Sequence, residues 1–336
     1  VFARRLWYFQ FARGEYYRER ADRQSQRAVT IPAARGIIYD RNGTSLVRNV
    51  PGFDVTLVPA YLPDDENEAQ DVLIRLAMLL DMPYTTAGGQ PGAEESQPGL
   101  RELVEDVPYS ARYRPLLVER GIERDTALLV AQEAMMLPGV AVKVEPLRSY
   151  PYGSLVSQVL GYLLPIPEGS EDEYVARGYD PATDRAGVAG VEATYEDELR
   201  GKKGQRIVEE DVLGRTIRVI EERAQPSPGN NVYLTIDLDL QAFVEEALQL
   251  GMAQPNVNSP RGVAIAMHPQ TGEILALVSL PTYDNNLFAK GISARDWERL
   301  GDDPHRPLLN HAISDGLPPG SVFKIVLAAG ALQDGV

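Results

Sequence analysis

Leu317-Pro318-Pro319-Gly320-Ser321-Val322-Phe323-Lys324, near the end of a 336-residue chain, sets a serine and a lysine three positions apart. Pro318-Pro319 stops whatever precedes, and Gly320 permits a tight turn and close backbone approach. Ile325-Val326-Leu327-Ala328-Ala329 is expected to continue as a buried helix. On a helix, residues three apart share a face, with Cβ atoms roughly 5–6 Å apart. A neutral lysine at that distance can take the serine's proton, which is the arrangement of an activated acyl-transfer nucleophile. A serine in the first helical turn also meets free N–H groups and the dipole end that favours negative charge. The same residues fit a second reading, an N-cap serine with a solvated lysine one turn on. The chain has 14 serines and five lysines, and random placement gives roughly 0.2 such pairs at ordinary usage. Frequency alone does not choose between the two readings.

Composition narrows the field. Hydrophobic residues make up 44% and charged residues 24%, as in globular proteins with room for two cores or more. A net charge of −15 argues against nucleic acid as a partner, because phosphate binding needs basic surface. The absence of cysteine excludes disulfides and thiolate metal sites. His268, His305 and His311 show no metal-ligand spacing and read as structural or surface residues; neither metal nor cofactor is expected. No apolar run approaches the ~18–20 residues of a membrane span. The opening Val1-Phe2-Ala3-Arg4-Arg5-Leu6-Trp7-Tyr8-Phe9-Gln10-Phe11 nevertheless mixes aromatics with arginine, as chains do at the membrane surface just after a span. With no initiating Met at one end and a stop at Asp334-Gly335-Val336 just past the Ser321 helix at the other, both ends read as cut from something longer.

Residues 4–28 read as a charged helix, followed by strand signals at Val29-Thr30-Ile31 and Gly36-Ile37-Ile38-Tyr39. Asp40-Arg41-Asn42-Gly43 is expected to form a two-residue hairpin loop, with Asn-Gly supplying the positive φ angles. Phe53 to Val58 alternates as a strand, and Ala69, Val72, Leu73, Leu76, Leu79 and Leu80 mark an amphipathic helix over Glu66–Leu80. Residues 87–99 read as a loop and Thr126 to Met136 as a helix. Extended segments follow at 140–145, 205–212, 215–221 and 231–236, then a helix over Leu238–Leu250. Last comes a hairpin of Gly262–Met267 and Glu273–Ser279 around Pro269-Gln270-Thr271-Gly272.

Several of these segments together resemble the class B penicillin-binding proteins, the membrane-anchored D,D-transpeptidases of bacterial cell-wall synthesis. Arg35 to Gly43 is similar to the motif that opens the family's non-catalytic pedestal. Arg148-Ser149-Tyr150-Pro151-Tyr152-Gly153 with Gly161-Tyr162 resembles the second motif, and Gly187 to Glu192 with Tyr195, Leu199, Gly201 and Gly204 the third. Leu234-Thr235-Ile236-Asp237 with Leu240-Gln241 resembles the entry to the transpeptidase domain, and Thr271 to Ala276 its first hairpin. Pro318 to Lys324 is similar to the Ser-x-x-Lys nucleophile motif. Asn49 to Phe53, Leu57-Val58-Pro59 and Tyr150 to Gly153 lean toward the elongation-type branch, penicillin-binding protein 2, with the division-type branch as the near alternative. One departure stands out: relatives usually carry histidine where this chain has Gln158.

The resemblance implies an α+β fold, with a strand-rich pedestal bearing a small helical head and then the start of a β-lactamase-like transpeptidase domain. The expected division is 1–28 juxtamembrane helix, 29–60 and 139–230 pedestal, 61–138 head, and 231–336 the incomplete first part of the transpeptidase domain. It also implies Ser321 as acyl nucleophile and Lys324 as general base, acting on the D-Ala-D-Ala end of peptidoglycan stem peptides and acylated by β-lactams. The family's Ser-x-Asn and Lys-(Thr/Ser)-Gly motifs have no place in the 12 residues after Lys324, so this chain by itself is expected to be inactive. Implied partners are a SEDS-type membrane glycan polymerase and a rod-shape scaffold protein, with the pedestal as a binding module. The implied location is the outer face of the cell membrane, held by a single-pass anchor that this chain lacks. Arg35, Asp40, Arg148, Glu192 and Asp237 are expected to be structural ion pairs and turn formers. The part over 262–336 is expected to be unstable or unusually mobile.

Overall fold

A computed structural model describes residues 26–86, 99–210, 216–257, 259–316 and 318–335. Its strands are β1 (Gln26–Ile31), β2 (Ile38–Tyr39), β3 (Ser45–Leu57), β4 (Leu116–Ile122), β5 (Val140–Ser149), β6 (Leu163–Pro165), β7 (Arg185–Gly187), β8 (Gly204–Glu210), β9 (Thr216–Ala224), β10 (Val232–Tyr233), β11 (Gly262–Met267) and β12 (Ile274–Leu280). Its helices are α1 (Glu66–Leu80), α2 (Leu100–Glu105), α3 (Arg124–Glu133), α4 (Ser157–Leu160), α5 (Glu171–Ala176), α6 (Gly190–Thr194), α7 (Glu196–Leu199), α8 (Leu238–Met252), α9 (Asn286–Ala289), α10 (Ala294–Gly301), α11 (His311–Ser314) and α12 (Lys324–Gln333). The fold is α+β, and its sheets are open.

β3 organises the pedestal. Its first residues pair with β2, and Arg48 to Leu57 pair antiparallel with the whole of β5. Its last residues also pair with β4 on the other side. Because it is 13 residues long, the strand serves two cores. Val55 and Leu57 at its far end meet Leu73, Leu76 and Leu80 of α1, with Val130 and Leu137, to form the head core. Leu46 and Val47 at its near end meet Ile38, Tyr150, Leu160, Leu199 and Leu238 in a second core. α1 starts where expected because Asp65 caps it, accepting the N–H groups of Asn67 and Glu68. A separate sheet, in the order β1-β8-β9, and a small β6-β7 ribbon complete the pedestal.

Four expectations need correction. The juxtamembrane helix over 1–28 fails at its last residues, since Gln26, Arg27 and Ala28 lie in β1 opposite Glu209, Val208 and Ile207. The remainder of that segment lies outside the described residues, as do 87–98 of the expected loop and 211–215 of the expected strands. The 40–43 turn is not a two-residue loop. Gly43 N–H donates to the Asp40 carbonyl, only Gly43 has positive φ (85°), and the Asp40 carboxylate accepts the N–H groups of Asn42 and Thr44. An aspartate that closes the turn itself displaces the mirror-image loop. Of the extended segment 231–236, only Val232 and Tyr233 are strand, pairing parallel to β2. Finally, the helix after Ser321 is not buried: Ile325, Val326 and Leu327 are 72%, 60% and 60% exposed. Apart from the 3₁₀ turn (Gly320–Phe323) that leads into it, no element among the described residues packs on it with more than marginal contact.

Candidate active site

The 262–315 region is seated on the pedestal by polar side chains that act as backbone. Gln241, fully buried on α8, accepts the N–H of Leu277 at 2.8 Å and donates to the Leu277 carbonyl at 2.9 Å. It therefore pairs with β12 as a strand residue would, and it also donates to the Leu155 carbonyl of the pedestal at 3.1 Å. The start of α8 is capped by Asp237, which accepts the Leu240 N–H at 3.1 Å and the Asn42 amide at 3.2 Å. These bonds, that of the Leu240 N–H foremost, hold its carboxyl below the usual range.

Beyond β12 the chain crosses the pedestal. Gln158 on α4 donates to the carbonyls of Pro281 (2.9 Å) and Pro307 (3.1 Å). Asn285 is fully buried and donates to the carbonyls of Ser157 and Gly161. Asn286 exchanges two bonds with the Tyr150 backbone. Tyr162 of the pedestal stacks on Phe288 at 3.8 Å between centroids, with Tyr283 edge-on to both. Gln158 thus takes a structural place, bridging α4 to two loops of the next domain.

The segment with Ser321 and Lys324 follows the end of this assembly. His311 is 3% exposed, and its N–H donates to Ser279 Oγ on β12. Asp315 accepts from the His311 ring and lies 3.5 Å from the guanidinium of Arg261. Past Asp315, Gly320 turns the chain with φ of 55°, Ser321 lies inside a 3₁₀ turn (Gly320–Phe323), and Lys324 opens α12. The Lys324 N–H donates to the Ser321 carbonyl, so the two residues share one turn, both exposed. No side chain caps the 3₁₀ turn or α12, so Ser321 is not an N-cap serine.

The pedestal charges form one buried cluster. Glu192, wholly buried, receives Arg35 Nε and Arg148 Nε, each at 2.7 Å. Glu196 receives Arg35 at 2.5 Å, Tyr179 Oη at 2.5 Å and the Gly187 N–H at 2.9 Å. Arg148 also donates to the Gly36 carbonyl and to Asn49. With Asp40 closing its turn and Asp237 capping α8, all five charged residues singled out in the sequence act as ion pairs or turn formers. The sequence did not single out His311 and Asp315 as a pair; their i, i+4 spacing just before Ser321 is the signal that could have found them.

Residues 30–234 match the penicillin-binding protein dimerisation domain, and residues 262–336 match the penicillin-binding protein transpeptidase domain. Among curated relatives, the peptidoglycan D,D-transpeptidase MrdA of Escherichia coli K12 is 32% identical across 98% of this chain and 48% of its own length. MrdA of Salmonella typhimurium is 31% identical across 98% and 49%, and penicillin-binding protein 3 of Bacillus subtilis 30% across 95% and 42%. The chain spans about half the length of the MrdA relatives it matches. Penicillin-binding protein 2 of Helicobacter pylori, solved in complex with MreC, shares the fold with a TM-score of 0.68 over 92% of this chain and 52% of that one, at 24% identity. The fold, the two matched domains and the likeness to MrdA along 98% of this chain agree: this chain belongs to the penicillin-binding proteins that carry a dimerisation domain ahead of a transpeptidase domain.

Proposed function

We propose that this chain is the pedestal and the first part of the catalytic domain of an elongation-type peptidoglycan D,D-transpeptidase. The observation that carries the reading is the uncapped Ser321, one turn from Lys324, at the end of a segment matched to the transpeptidase domain. Ser321 Oγ attacks the D-Ala-D-Ala carbonyl of a stem peptide as Lys324 takes its proton, and the terminal D-alanine leaves. An amine of a neighbouring stem then takes the acyl group, forming the cross-link and freeing Ser321. The backbone N–H of Ser321 supplies half of the oxyanion hole, worth about 3–4 kcal/mol per donor. A neutral lysine calls for burial and a second cation, which the longer protein would supply, since Lys324 is exposed among the described residues. The 336 residues alone are therefore proposed not to turn over substrate.

On the same reading, the body of the protein lies outside the cell membrane, and the pedestal docks a membrane glycan polymerase and a rod-shape scaffold protein. The complex of the Helicobacter pylori relative with MreC supports the second partner. Fluorescent penicillin should label the full-length protein covalently and fail on Ser321→Ala. Equal labelling of both would dismiss the assignment.

A further inference from the structure

His311 is hydrogen-bonded in a way that fixes how many protons its ring carries. Nδ1 lies 2.8 Å from Asp315 Oδ2, and Nε2 lies 2.9 Å from the backbone carbonyl of His305. A carbonyl can only accept, so Nε2 must carry a hydrogen. A carboxylate can only accept as well, and the Arg261 guanidinium lies 3.5 Å from the same oxygen of Asp315. Both ring nitrogens therefore donate, which only the imidazolium can do. The ring is almost wholly enclosed, and the α11 backbone is fixed from a third side by the bond to Ser279. Asp315 and Arg261 are the charged groups in contact with the ring or its carboxylate among the described residues.

We propose that His311, held as an imidazolium, is a positioning residue for the nucleophile: with Asp315 it is the last anchor before Ser321 among the described residues and sets where the Gly320–Phe323 turn stands relative to β12. The inference rests on the reading of Ser321 as the acyl nucleophile. A neutral ring keeps one donor and must release either Asp315 or the 305 loop. The loop carries Pro307, whose carbonyl is also held by Gln158 of the pedestal, so one short segment joins the pedestal to the nucleophile's anchor.

The test uses the full-length protein and the acylation rate by fluorescent penicillin. His311→Gln, neutral with a single donor-bearing nitrogen, should acylate about 10- to 100-fold more slowly, as expected for a displaced nucleophile. His311→Arg, permanently cationic with forked donors, should recover most of that loss, which a merely space-filling role would not predict. In the 336-residue chain, with only three histidines, ¹⁵N spectra should show two protonated nitrogens on the ring that disappears in His311→Gln. Equal rates for wild type and His311→Gln, or a ring with one N–H, would overturn the proposal. If a variant does not fold, the wild-type ring spectrum decides. Absence of labelling at Ser321 with a doubly protonated ring would instead sink the nucleophile reading and the positioning role that rests on it.

Discussion

Two buried glutamates show how neighbours set the state of a carboxyl. For Glu196, burial raises the proton affinity, but the bond and charge of Arg35, with Tyr179 and Gly187, outweigh it and hold the group below its ordinary value. Tyr179 is pushed up to about 12 in turn, by burial first and then by Glu196. Glu245 on α8 has no such cation among the described residues. One oxygen meets Gln249 at 3.3 Å, the other has no hydrogen-bond partner among the described residues, and burial pushes the group up to about 7. A carboxyl whose folded value is raised costs stability once it must ionise. The cost is absent below the ordinary 4.5, grows as pH rises toward 7, and is complete above it. Glu245→Gln should therefore stabilise the protein at pH 8 by on the order of 2–3 kcal/mol and change little at pH 4. Urea midpoints at the two pH values check this, and an equal effect at both would contradict it.

At the scale of elements, α4 and α6 approach so closely that only glycine fits between them. A Cβ on Gly161 would lie 1.8 Å from the Ala189 carbonyl oxygen, and one on Gly190 2.5 Å from that of Val159. Both have positive φ, 75° and 58°. Gly161→Ala and Gly190→Ala should each cost more than about 2 kcal/mol, from strain in the left-handed region plus overpacking. The double variant should cost less than the sum, because one shift relieves both contacts; strict additivity in denaturation midpoints would speak against the shared contact. The sequence named these glycines as motif members but not as a contact, since what meets them lies about 30 residues away. Legibility elsewhere followed the same line. α1 and the β11-β12 hairpin could be read because period and turn chemistry are local. β4 was not read: Glu119-Arg120-Gly121 interrupts its alternation, and its register against β3 shifts twice. Ser321 and Lys324 were legible as a pair because their relation is one turn of backbone. The imidazole–carboxylate anchor beneath them was not, because its meaning depends on Ser279, Arg261 and the 305 loop.

Across the whole molecule, a seam of polar side chains and stacked rings joins the pedestal to the hairpin region. Asn285, Gln158, Asn286 and Gln241 each join backbone on one side to backbone on the other, and the Tyr162–Phe288 stack closes the apolar part. The expectation of a mobile 262–336 region divides here. Amide hydrogen exchange should be slow through β12 and up to about Asp315, and fast over 318–335, where nearly every residue is exposed. Asn285→Ala leaves the Ser157 and Gly161 carbonyls without its amide and should cost about 2–4 kcal/mol, speeding exchange in β11 and β12 before the head. Uniform fast exchange from 262 onward would show that the seam does not hold.

The uncovered face of α12 has a colloidal consequence. Val322 and Phe323 of the 3₁₀ turn and Ile325, Val326, Leu327 and Leu332 of α12 present apolar side chains to solvent, and at neutral pH a net charge of −15 opposes association through them. Acidifying a purified sample toward its isoelectric point, near 4.8, removes that repulsion while leaving the apolar surface exposed, so turbidity should rise there well before the pedestal melts.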